Sequence, residues 1–107
     1  MTKTLTEHIK HVRNVGLSSI LTYKNNIKRI FNDYCKLEWN TNCQWIKDEN
    51  IFIKIKNIDN LNVKKNCISA AILCCDICND TGTRKQYTKL QIEAKKQLET
   101  FQQTGKL

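Results

Sequence analysis

Proline is absent from the 107 residues, and glycine occurs only at positions 16, 82 and 105. With so few helix breakers, helices are favoured throughout. No apolar run approaches the ~18 residues that a membrane span needs, so no membrane partner is expected. The opening Met1-Thr2-Lys3-Thr4 leads into a polar helical segment and not into the apolar core of a signal peptide. No Gly-rich phosphate loop occurs, and no Ser/His/Asp or Cys/His set has the spacing of a nucleophilic site. No enzymatic activity, catalytic residue or cofactor is therefore expected.

Carboxylates are also scarce. Eighteen Lys and Arg stand against ten Asp and Glu, a formal net charge of +8. Such an excess favours polyanions, nucleic acid first. The charge falls in two basic blocks, residues 1–36 and 61–107, around a near-neutral middle. Both blocks mix cations with apolar residues, which separates them from a disordered basic tail. Lys outnumbers Arg fifteen to three, and Asn and Ile are abundant, the composition of an AT-rich genome such as many large DNA viruses and some protists carry. A length of 107 residues suits one domain, 1–107, with a single core.

Periodicity places five helices. The first runs from about Thr4 to Asn14, with Thr4 and Glu7 as a capping box, Leu5, Ile9 and Val12 on one face, and Gly16 as a C′ stop. The second runs from an N-cap at Ser18 to about Leu37 and carries the apolar stripe Ile20, Tyr23, Ile27, Ile30, Phe31, Tyr34 and Leu37. Its opposite face holds Asn25, Lys28, Arg29, Asn32 and Lys36, three cations and two amides without an acid.

A connector over 38–47 contains Trp39 and Trp45, which suit packing anchors better than base stacking. Asp48 caps a short third helix ending near Asn57. The segment Ile51-Phe52-Ile53-Lys54-Ile55-Lys56 also alternates like a strand, but an isolated strand would lack a partner.

The fourth helix, Asn62–Asn79, is apolar nearly all round, leaving only Asn62, Lys65, Ser69 and Asp76 as a polar strip. Such a helix belongs in the middle of a bundle. Lys64, Lys65 and Ser69, near its start, make a second candidate phosphate patch. After a turn over Asp80-Thr81-Gly82-Thr83, the fifth helix runs to about Gln102. Tyr87, Leu90, Ala94, Leu98 and Phe101 share its apolar arc, and Lys89/Glu93 and Lys95/Glu99 are spaced as i,i+4 pairs.

Six Cys without a secretion signal point to free thiols in a reducing compartment: nucleus, cytoplasm, viral factory or virion. Cys74, Cys75 and Cys78 form a CC-x-x-C cluster, and His8 and His11 add donors. These cysteines lie in the most apolar helix, however, where a free Cys acts as a small hydrophobe, so no metal site is expected.

The run Leu17-Ser18-Ser19-Ile20-Leu21-Thr22-Tyr23, followed by Ile27-Lys28-Arg29-Ile30-Phe31, resembles the opening helix of the core-binding domain of tyrosine recombinases and phage integrases. Leu61-Asn62-Val63-Lys64-Lys65-Asn66-Cys67-Ile68-Ser69-Ala70-Ala71-Ile72 resembles a later helix of that SAM-like module. The resemblance covers roughly residues 5–100. It implies an all-α, single compact bundle of four to five helices that clasps double-stranded DNA. The family's separate catalytic domain cleaves through a tyrosine assisted by Arg, Lys and His. Here Tyr23, Tyr34 and Tyr87 fall on apolar faces, and Arg occurs only at 13, 29 and 84.

The expected function is thus duplex DNA binding of low sequence specificity. The expected DNA-binding residues are Asn25, Lys28, Arg29, Asn32, Lys36, Lys64, Lys65 and Ser69. The alternative is a structural or virion protein whose bundle docks on a recombinase or capsid partner.

Overall fold

A computed structural model describes the backbone of residues 4–104 and the side chains of residues 4–100. The expectations for Phe101, Gly105 and the residues before Thr4 fall outside these. The described chain is all-α: α1 (Leu5–Val12), α2 (Leu17–Tyr34), a 3-10 turn (Gln44–Lys47), α3 (Glu49–Lys56), α4 (Leu61–Cys78) and α5 (Thr81–Thr104). They assemble into one bundle of 55 × 30 × 23 Å.

The helix starts follow from local chemistry. Thr4 caps α1, its hydroxyl accepting from the Glu7 N–H while the Glu7 carboxylate accepts from the Thr4 N–H. Asp48 caps α3 by accepting from the Asn50 N–H at 3.1 Å. Asn60 caps α4 by accepting from the N–H groups of Asn62 and Val63. Asp80 does the same for α5, taking the Thr83 N–H and hydroxyl at 3.0 and 2.8 Å. The segment 80–83 is therefore a cap and first helical turn, not a free turn. The reversal is instead made by Asn79 in the left-handed region at φ 58°, a conformation that Asn tolerates.

Two further boundaries differ from expectation. Gly16 is extended (φ −74°, ψ 172°) and is the N-cap of α2, with Ser18 already inside the first turn. The chain leaves α1 through an extended Arg13, so no left-handed glycine is needed there. At its other end α2 stops at Tyr34, where Cys35 turns extended. The connector then folds back so that Phe31 meets Trp39 and Trp45 edge-on, with ring centroids 5.0 and 5.3 Å apart. Trp39 stacks on Trp45 at 5.7 Å, and the Trp45 indole N–H donates to the Asn40 carbonyl at 3.1 Å. Trp45 is only 2% exposed: both tryptophans pack the connector onto α2.

The ambiguous segment 51–56 is a helix. Ile51 and Ile55 are fully buried while Ile53 between them is 52% exposed, whereas a strand would turn all three the same way.

The middle of the bundle is α4, which touches α1, α2, α3, α5 and the 3-10 turn. Its buried Cys67, Ala70, Ala71 and Cys74 are small, letting neighbouring backbones approach. Against α4 pack Ile9 of α1, Ile27 and Ile30 of α2, Ile55 of α3, and Tyr87, Leu90 and Ala94 of α5. One polar group on α4 works as a tie. Asp76 accepts from Arg13 Nη2 and from Arg84 Nε, each at 2.7 Å, joining the end of α1 to α4 and α5. The spaced pairs Lys89/Glu93 and Lys95/Glu99 are not closed: the ion pairs among the described residues all use arginine.

Asp76→Ala is expected to lower stability by about 1–2 kcal/mol, since two charge-assisted but partly exposed contacts are lost. That is a fall in melting temperature of roughly 5–10 °C by circular dichroism. Tyr87 offers the opposite case. Its ring is fully buried, edge-on to Phe52 at 5.2 Å, and its hydroxyl has no hydrogen-bond partner. Tyr87→Phe keeps the ring and removes the unsatisfied group, so the melting temperature should hold or rise; a fall of several degrees would contradict this account.

Candidate nucleic-acid interface

The sequence of α2 repeats a small polar residue every fourth position: Ser18, Thr22, Asn26. At ~100° per residue these make a ridge beside the buried Ile20, Ile27 and Ile30. Burying that apolar stripe on α4 brings the ridge up against α4's own polar strip. The result is an open groove of about 330 Å³ lined by Ser18, Ser19, Thr22, Tyr23, Asn26, Asn66 and Ser69. Its lining offers hydroxyls and amides and contains no carboxylate. The Thr22 hydroxyl donates its proton to the Ser18 carbonyl at 3.0 Å, so the side-chain donors left to the groove are the other hydroxyls and the amides of Asn26 and Asn66. The start of α2 has no side-chain cap and no acid in its first turn, so nothing there offsets the positive end of the helix.

Six of the eight residues expected to meet DNA lie on α2 or α4 with exposed or half-buried side chains. Asn25, Lys28, Arg29 and Asn32 are exposed on α2, Lys65 is exposed on α4, and Ser69 is half-buried in the groove. Arg29 reaches Asp33, one turn on, at 3.9 Å, an exposed pair that contributes little and leaves the guanidinium accessible.

The other two stand elsewhere. Lys36 follows the end of α2 and lies in the connector, so it does not share the helical face. Lys64 is only 7% exposed. It falls in register with Ile68, Ala71 and Cys75, all buried, and its stem is covered where α4 is enclosed.

Nor do these residues line one groove together: of the eight, only Ser69 lies in the α2–α4 groove. Lys28 lies ~160° around α2 from Asn26, by helical geometry, and so turns away from the groove. Arg29 lies only ~60° from Asn26 and stands at the groove's edge. On α4, Lys65 precedes Asn66 and sits one turn from Ser69, also lining a second groove with Gln91, Lys95 and Glu99 of α5. The residues that the charge pattern passes over are Ser18, Ser19, Thr22, Asn26 and Asn66. The signal that finds Ser18, Thr22 and Asn26 is the four-residue recurrence of small polar side chains, which a search for cations ignores.

The thiols are occupied in packing. Burial pushes Cys74 well above the ordinary thiol range, helped by its hydrogen bond with Cys43, and raises Cys67 and Cys78. Cys75 is pushed up to about 12, by burial first and then by Cys78 and the nearby carboxylates Asp80 and Asp76. Such thiols are protonated at neutral pH and poor nucleophiles. Among the described residues, no group of three His, Cys, Asp or Glu side chains is arranged to hold a metal ion.

No helix of the described chain is long and apolar enough to cross a membrane. The chain matches no protein-family model, and neither the curated proteins nor the solved structures provide a match.

Alkylation followed by mass spectrometry is expected to label Cys35, which is partly exposed, well before the buried Cys43, Cys67, Cys74 and Cys75. The buried four should react only as fast as the protein unfolds. Rapid labelling of Cys74 in the native protein would contradict the packing described.

Proposed function

We propose that the chain is a non-catalytic, duplex-DNA-binding bundle of low sequence specificity that grips the phosphate backbone across the α2–α4 groove. The observation that carries this reading is a carboxylate-free groove of hydroxyls and amides on a chain of net charge +8, with Arg29 and Lys65 within one helical turn of its lining residues Asn26 and Ser69. Ser, Thr and Asn side chains, backbone N–H groups and helix N-termini are the usual partners of phosphate and sugar oxygens, and they fix register without reading bases. Lys in place of Arg suits diffuse charge contact more than bidentate recognition of guanine, hence the low specificity. The likeness of the two central helices to the recombinase core-binding module gives the same reading from another direction.

A structural role, in which the bundle docks on a capsid or recombinase partner, draws on a different observation. Leu17 and Leu21, one turn apart on α2, are 75% and 58% exposed. Trp39, Trp45 and Phe52 pack inward and add nothing to such a surface.

A gel-shift titration on random duplex separates the two. Neutralising about five phosphates gives a slope of log K against log salt near −4 to −5. Arg29→Glu and Lys65→Glu should each weaken binding about tenfold and flatten the slope by about one, while Lys54→Glu on α3 changes affinity less than threefold. Absence of binding at low salt, together with co-purification in fixed stoichiometry with a capsid protein, would instead establish docking.

A further inference from the structure

From the face formed by α3 and α5 we infer a self-association surface on which a second copy of this chain sits about a two-fold axis. The two helices flank a groove of about 420 Å³, lined among others by Glu49, Ile53 and Lys56 of α3 and by Lys89 and Glu93 of α5. It shares no residue with the α2–α4 groove. Ile53 stands 52% exposed in its wall, and Phe52 beside it is partly buried against Tyr87.

Charge selects the occupant. Each copy carries +8, so most faces of two copies repel. In this groove two carboxylates balance two ammonium groups, and an apolar side chain lies exposed between them. A second copy can approach here without that repulsion.

The order of residues makes the face complementary to itself. Glu49 and Lys56 lie on one side of α3, two turns and ~10 Å apart, with Phe52 and Ile53 midway. When two α3 helices cross antiparallel about a two-fold axis between positions 52 and 53, Glu49 of one copy faces Lys56 of the other, twice. The apolar pair meets at the centre. This is the pattern an isologous contact requires, since every residue must suit the same surface turned around. A patch built on an eight-residue helix and one side of α5 is smaller than the ~1,600 Å² of a standard interface. The dimer is therefore weak, forming at roughly tens to hundreds of micromolar.

Sedimentation equilibrium of the full chain over ~10–500 µM, without nucleic acid, tests this. Dimer should appear at the upper concentrations. Ile53→Ser, which changes no charge, should weaken association at least tenfold with the helical signal intact. Glu49→Lys and Lys56→Glu should each do the same, although they move the net charge in opposite directions, from +8 to +10 and from +8 to +6. General repulsion alone would make Lys56→Glu associate more strongly. The double variant, back at +8, should recover native association, and an equimolar mixture of the two single variants should associate more strongly than either alone. A chain that stays monomeric throughout, a double variant that does not recover, or single variants that dimerise like the native chain would each overturn the assignment.

Discussion

Everything in this bundle depends on enclosing α4. A helix that is apolar around almost its whole circumference cannot face water, and its four helical neighbours, with the 3-10 turn, are arranged to leave only a narrow strip of it uncovered. The small side chains of α4 set how closely those neighbours approach. The strip that remains is where polar chemistry collects: Asn66 and Ser69 against α2, and Asp76 between two arginines. The groove proposed to bind DNA is thus a by-product of how the core is covered. It exists because α2 buries its isoleucines on α4 with a polar ridge alongside.

Much of this fold was legible in the chain itself. The Thr4/Glu7 capping box, the cap at Asp48 and the all-round apolar character of 61–78 are local signals, and local signals survive into the folded state. Ends that depend on tertiary contact were less legible. α2 stops at Tyr34 because the tryptophans of the connector must return to Phe31, and nothing within 34–37 announces it. Asp80 reads equally well as a turn residue or as a helix cap, since the same side chain accepts hydrogen bonds in both.

The site was legible in part, for a related reason. Net charge and helical wheels identify exposed cations, and Lys28, Arg29 and Lys65 are indeed exposed. A wheel drawn for one helix says nothing of which exposed flank lies beside another helix. That is settled by the apolar stripe, whose direction puts Asn26 in the groove and turns Lys28 away. Lys64 is covered because α4 is enclosed on its side too. Conversely, the neutral hydroxyls and amides of the groove carry no charge signal and emerge only once two helices stand side by side.

The tie between Arg13 and Asp76 spans 63 positions of sequence, whereas α4 and α5 join through only Asn79 and Asp80. Closing the short reversal costs little chain entropy and closing the long one costs more. The α4–α5 hairpin is thus the cheaper of the two to form, while the tie from the end of α1 draws together parts of the chain that sequence keeps far apart.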